Sequence, residues 1–278
     1  MRDEPKTFIE HLGELRKRIV ISAFATAAGS AISFIFRDRL FDLRTGLLML
    51  PLRLRVSDIM AALFSVISRA GVGSSILNLF QLFFRSRTSQ IDTIKLISIA
   101  PLEKFMVIFK ASFAVGVLLA APIILYEAWA FVLPALRQHE KHYLMPLFFI
   151  TLFFFFMGAA FAFLIVAPVA MPILAGFLPS IENQWTLERY FSFVTRMLLA
   201  FGAAFELPIV MGFIARIGVF DAASFKGKRR IAVVLIFIVS AALTPQDPFT
   251  MLLMALPLLG LYELGIRFAI LVSAREVS

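Results

Sequence analysis

Few residues in this sequence could do chemistry, and most of them are carboxylates. Glu14 stands in HLGELRKRI, Glu140 in LRQHEKHYL, Glu206 in FGAAFELP and Asp247 in TPQDP. The HEKH string around Glu140 invites a zinc-protease reading, but a helical site of that kind needs histidines four apart with the catalytic Glu between them. His139 and His142 are three apart. With no Cys in the chain, disulfides, thiolate metal sites, thioether haem attachment and cysteine nucleophiles are excluded together. All three histidines, His11 included, lie outside the long apolar runs, so no imidazole sits within a span to activate a Ser for intramembrane hydrolysis. No catalytic residue, metal site or cofactor is expected.

The carboxylates differ in their surroundings. Glu14 precedes Arg18 by four residues, which on a helix makes a weak surface pair; the sharper alternative is that Glu14 faces a cation on a partner. Glu140 reads either as a solvated loop carboxylate or as a second such contact. Asp247 most simply caps a final helix that has Pro248 at its first position. Glu206 is different in kind, because it falls inside an apolar run with Arg196 ten residues away, about 15 Å along a helix axis. That arginine is expected to snorkel outward. Glu206 is then either a neutral packing carboxyl or a polar group lining a concave groove, and Pro208 just beyond it frees a backbone carbonyl.

The elements that must hold these groups are membrane-spanning helices. The chain has 278 residues, 60% of them hydrophobic and 16% charged, with 32 Phe, and so carries more apolar side chain than a water-facing globule can bury. A span takes about 20 residues. Charge-free runs at 19–36 and 147–167 supply two spans, and 105–131 supplies a third. The third has Lys110 near one end and Tyr126, Glu127 and Trp129 near the other, where amphipathic rings favour the interface. Residues 191–214 form a fourth, containing Arg196 and Glu206, and 231–243 and 249 to about 265 form two short ones. A 13-residue helix reaches only about 20 Å of a roughly 30 Å hydrocarbon core. The expected fold is an all-α integral membrane protein, a single polytopic domain over 1–278 with six transmembrane helices and a concave groove.

Charge sets the orientation. Lys and Arg number five in 1–18, two in 132–146, five in 215–230 and two in 266–278, against one in 168–190 and none in 244–248. Both termini are therefore expected in the cytoplasm. The net charge of +9 reads as topology and lipid contact rather than nucleic-acid binding. The MRDEPK start shows no charged-then-apolar leader with a cleavage site. Residues 1–18 are expected to form a cytoplasmic amphipathic helix, with Thr7 and Glu10 as a capping box and Phe8, Leu12, Leu15 and Ile19 as its stripe. Segment 37–105 is expected to be a long outer loop despite its ten Lys and Arg, with IMAALFSVISRA and ILNLFQLFFR as interfacial or re-entrant helices. Pairing those two as spans would raise the count to eight and preserve the orientation.

Taken in order, FIEHLGELRKRI, PLEKFMVIFK, PIILYEAWAFVLPALRQHE, FGAAFELP and TPQDPFTMLLMALPLLGLYE resemble the TatC family, the polytopic subunit of the twin-arginine protein translocase. The resemblance is spread along the chain from end to end. It implies a receptor in the bacterial cytoplasmic (inner) membrane for signal peptides bearing paired arginines on folded cargo. Such a receptor works with single-span TatA-type and TatB-type partners, draws on the proton-motive force, contacts membrane lipid and self-associates. The family's two arginine-reading carboxylates map onto Glu14 and Glu140, with His11, Arg16, Pro134 and Leu136 beside them as signal-peptide contacts. Its intramembrane carboxylate, in a groove for a signal peptide or partner helix, maps onto Glu206. Thr244, Asp247 and Met251 fall at the turn and partner-helix contact of the last two spans. Two departures stand out: 37–105 looks longer than the usual first outer loop, and Met251 stands where many members carry Gln. The competing reading is an ion-coupled small-molecule secondary transporter, which intramembrane Glu, Arg and proline-broken helices also suit. Against it stand the missing internal repeat and a charge inventory gathered outside the spans.

Overall fold

The computed structural model describes residues 8–37, 96–132, 144–170, 185–220, 222–244 and 248–274. The capping residue Thr7, the two short helices expected within 37–105, the loop residues Pro134, Leu136, His139 and Glu140, and the turn residue Asp247 lie outside these.

Eight α-helices and one minimal strand pair make up the described residues. In chain order they are α1 (Phe8–Ile35), β1 (Leu96–Ile97), α2 (Glu103–Val132) and α3 (Leu144–Phe161), then β2 (Trp185–Thr186), α4 (Leu187–Ala204), α5 (Leu207–Arg216), α6 (Ala222–Gly227), α7 (Arg229–Leu243) and α8 (Pro248–Ala274). A π-helical turn over Ala162–Val166 carries α3 on to Ala170. Among the described residues, five stretches are long and apolar enough to cross a bilayer: Leu12–Ile35, Glu103–Val132, Met145–Ala170, Leu187–Arg216 and Thr250–Val272. The expected span at 231–243 is the 15-residue α7, whose rise of about 22 Å falls short of the hydrocarbon thickness.

Three expectations change in detail. The basic N-terminal segment and the first span are one uninterrupted helix from Phe8 to Ile35, because nothing between Arg18 and Ile19 breaks helical geometry. The fourth span is broken at Phe205–Glu206 into α4 and α5, with Pro208 in the first turn of the second piece. The last span is not short: α8 runs 27 residues. Glu263 looked like its exit, yet Ile266 and Ala269 beyond it are buried, with Gly265 against Met211 and Pro208 of α5. Packing on α5 extends the helix past its charged residue.

Helix α4 sits at the centre. Tyr190, Phe191, Met197 and Phe201 of α4 are fully buried and join Val107 and Ala111 of α2, Ala159 and Ala162 near the end of α3, and Met254 and Leu258 of α8 in one cluster. Lipid tails are as apolar as these side chains, so packing and satisfied polar groups hold the bundle rather than release of water. Helix α1 packs mainly on α2 through small residues. A Cβ added at Gly29 would lie 2.6 Å from the Gly116 carbonyl oxygen, and one at Gly116 would strike the backbone of Ser30. Only glycine permits that approach. Two hydroxyls along α1 bond back to their own helix, Thr26 donating to the Ser22 carbonyl at 2.9 Å and Ser30 to that of Thr26 at 2.7 Å, which spares both from facing lipid unpaired.

Candidate functional site

The site lies at the end of the bundle where α1 begins and α2 finishes. Antiparallel packing brings Arg18 beside Glu127, a residue 109 positions away in sequence. The guanidinium is forked: one nitrogen donates to Glu14 Oε1 at 2.5 Å and another to Glu127 Oε2 at 2.9 Å. All three side chains are largely shielded, at 20%, 20% and 12% exposure for Arg18, Glu14 and Glu127. Two carboxylates around one guanidinium leave a net charge of −1 in a partly dehydrated place, where charge-assisted bonds are strongest. The expected pair of Glu14 with Arg18 is therefore present, and Glu127 joins it.

Glu127 is the residue that sequence reasoning passed over as a mere span end. Its signal was its position between Tyr126 and Trp129, at the same interface as the basic start of α1. Trp129 fixes that corner: its indole N–H donates to Thr151 Oγ1 of α3 at 3.1 Å, and its ring meets Phe213 of α5 edge-on at 4.9 Å. Arg16 and Lys17 are exposed on the same turn of α1. His11 lies within α1, with its side chain outside the described part. Glu140 belongs by sequence to the connection between α2 and α3, whose described ends are Val132 and Leu144.

The other end of α2 is clamped rather than open. The Glu103 carboxylate accepts from the backbone N–H of Ile99 at 2.7 Å, of Ala100 at 3.4 Å and, from α4, of Glu188 at 3.0 Å. Lys110 donates to Glu188 at 2.5 Å and to Ser192 Oγ at 3.2 Å. Directly before these helices, β1 and β2 pair in parallel, Leu96 with Trp185 and Ile97 with Thr186, and Thr186 caps α4 by accepting from the Arg189 N–H at 3.3 Å.

Glu206 occupies the break between α4 and α5, as the cap residue of α5 without a side-chain capping bond. Both carboxylate oxygens are buried, and neither has a hydrogen-bond partner among the described residues. Its backbone bridges the break, donating to Ala203 at 3.2 Å and accepting from Val210 at 2.9 Å. At the turn into the last helix, Thr244 is buried and its hydroxyl donates to the Ser240 carbonyl at 2.9 Å. Met251 is half-buried in the first turn of α8, and that helix starts at Pro248 as the sequence led one to expect. The site residues thus fall in three places: Glu14 with Glu127 at one bundle end, Glu206 at the break, and Thr244 with Met251 at the α7–α8 junction.

The chain has relatives with this architecture. The profile of the family described as Sec-independent protein translocase protein (TatC) matches residues 10–257. The TatC of Desulforapulum autotrophicum is 35% identical over 267 residues, covering 95% of this chain and 85% of that one. The TatC of Aquifex aeolicus is 33% identical over 260 residues, covering 92% of each. A solved structure described as the crystal structure of twin arginine translocase receptor TatC superposes with a TM-score of 0.72 at 33% identity, covering 95% of this chain and 99% of that one. With the family profile running through α1, the α2 clamp, the Glu206 break and the start of α8 in one continuous match, this multi-pass membrane protein belongs to the TatC family of Sec-independent protein translocases.

Proposed function

We propose that this chain is the twin-arginine signal-peptide receptor and central membrane subunit of a translocase that exports folded proteins, driven by the proton-motive force. The observation that carries the reading is the forked guanidinium: Glu14 and Glu127 already hold an arginine between two helices, so this corner has the charge, geometry and dehydration that an incoming arginine needs. A guanidinium engages a carboxylate through a planar fork that a Lys ammonium cannot copy. In this reading Glu14 and Glu140 read the two arginines, and His11, Arg16, Pro134 and Leu136 line the approach. The chain has six spans, α7 being the short one, with both termini in the cytoplasm of a bacterial inner membrane. The Glu206 face receives a partner helix of TatA or TatB type, and Thr244, Asp247 and Met251 shape a second contact at the α7–α8 turn. Self-association and lipid contact complete the assembly. Family membership stands against the small-molecule permease.

The test is a titration of a synthetic Arg-Arg signal peptide against the detergent-solubilised chain. Loss of one charge-assisted contact of roughly 2 kcal/mol predicts about thirtyfold weaker binding for Glu14→Gln or Glu140→Gln, and a Lys-Lys peptide should lose affinity on the parent. Unchanged affinity in both variants would overturn the assignment.

A further inference from the structure

Helix α4 carries an ionisable group that its own fold leaves alone. Arg196 lies nine residues beyond Leu187, about 13 Å up the helix. It is exposed, and its side chain has no ion pair or hydrogen bond with any described residue. A bare guanidinium within an apolar span is unfavourable and calls for a counter-charge or a route to the headgroups.

Its surroundings choose between these. The exposed positions along α4 and α5 fall at Arg189, Arg196, Ala203 and Val210, seven apart, with Ser192, Leu199 and Glu206 half-buried between them. Within α4, alternate steps of three and four residues from Arg189 to Ala203 make a straight seam, the surface against which a second helix packs at a shallow angle, and the break at Phe205–Glu206 turns it onto α5. Helix α4 packs on α2 and α3, and α5 on α8, so the seam faces away from its own bundle. A lipid headgroup would use the guanidinium alone, and Arg189, two turns nearer the helix end, is the better placed to serve it. The seam continues past Arg196 for four turns over the small side chain of Ala203 to Glu206 and Val210, a low surface that a helix backbone can approach closely.

We propose that the α4–α5 seam docks a single membrane-spanning helix that carries a carboxylate level with Arg196. This deepens the reading of the Glu206 face as a partner-helix groove and rests on it. Arg196 then selects the partner by charge, and the small exposed Ala203 sets how closely that helix approaches.

The experiment uses the full chain in phosphatidylcholine vesicles with dye-labelled Leu/Ala-rich peptides of about 22 residues. Each peptide carries one Glu, Gln or Lys at the matching depth, and binding is read by energy transfer. The parent should bind the Glu peptide about tenfold more tightly than the Gln peptide, a difference of about 1.4 kcal/mol. Arg196→Gln should abolish that preference, and Arg196→Glu should transfer it to the Lys peptide. Equal binding of Glu and Gln peptides by the parent, or a preference that survives Arg196→Gln, would overturn the proposal. In a second set of vesicles that also contain phosphatidylglycerol, an Arg196→Gln variant that loses only bound phosphatidylglycerol and keeps its peptide preference would likewise overturn it and assign the residue to lipid. Arg-Arg peptide affinity measured on the same samples reports separately: its absence in the parent refutes the receptor reading, whereas its retention in variants without charge preference refutes the seam.

Discussion

The forked Arg18 makes a quantitative prediction about how α1 is held. Glu127→Gln leaves the guanidinium bonded to Glu14, and Glu14→Gln leaves it bonded to Glu127, so each single change removes one of two charge-assisted contacts. Such contacts contribute roughly 1.5–3 kcal/mol. Because the guanidinium keeps a partner and the group is partly solvated, each loss is expected to fall below that range, at about 1 kcal/mol. Removing both carboxylates is different, for it strands a charge that is 20% exposed, a situation that costs about 4 kcal/mol. The double variant should therefore exceed the sum of the singles by about 2 kcal/mol. Adding Arg18→Met to the double variant should recover most of the loss, since no charge is then left behind. The chain has no cysteine, so spin labels can be placed uniquely at Val20→Cys and Ile123→Cys, two exposed positions on α1 and α2. The undocked fraction of α1 is read from the label distance as denaturing detergent is added. Additivity within about 0.5 kcal/mol, or no recovery with Arg18→Met, would refute the idea that the two carboxylates act through one shared cation.

Other consequences follow from the packing. Gly116→Val should force α1 off α2, with a loss of about 1–3 kcal/mol as in other overpacked contacts, measured by the same label distance; an unchanged distance would mean the close approach is not structural. Glu103→Gln should raise amide hydrogen exchange at Ile99, Ala100 and Glu188 together, because one carboxylate accepts from all three; exchange rising at one site only would deny a common clamp. Five Leu inserted into α7 should impair export while leaving Arg-Arg peptide binding intact, since its short rise thins the bilayer locally, and normal export would count against that. Glu206→Gln with near-normal export and Glu206→Ala with a defect would support polar docking; equal defects would point to a titrating role, and parental export in both would reduce Glu206 to packing.

Much of this architecture could be read before any coordinates. Apolar runs of about 20 residues have few alternatives in a chain this rich in Phe, so the long spans were plain; the break at Phe205–Glu206 was not, because Pro208 by itself signals only a freed carbonyl in a run that is apolar throughout. Glu206 was legible because a carboxylate deep in such a run is costly wherever it points. Glu127 was not, because its meaning depends on a partner 109 residues away and on the register in which Gly29 meets Gly116, which no local pattern encodes. The end of α8 was misread for a related reason. Glu263 resembles a boundary when only its own helix is considered, whereas its ion pair with Arg229 of α7 at 2.7 Å places it alongside the start of a shorter neighbour, with another 11 residues of α8 still to come.

The two-residue strand pair has a mechanical consequence. Leu96–Ile97 and Trp185–Thr186 close two connections that are far apart in sequence, one leading into α2 and the other into α4. Tied side by side and backed by Glu103, they form a splice, so tension on either connection is shared between two helices instead of unwinding the first turn of one. A tug on the segment before Leu96 is felt at Glu188, and through Lys110 and Ser192 it is carried down α4 toward the break at Glu206. Anything that pulls at this face of the bundle therefore loads the central helix lengthwise, the direction in which a helix is stiffest, and its weak joint is the break at Glu206, whose carboxylate has no partner among the described residues.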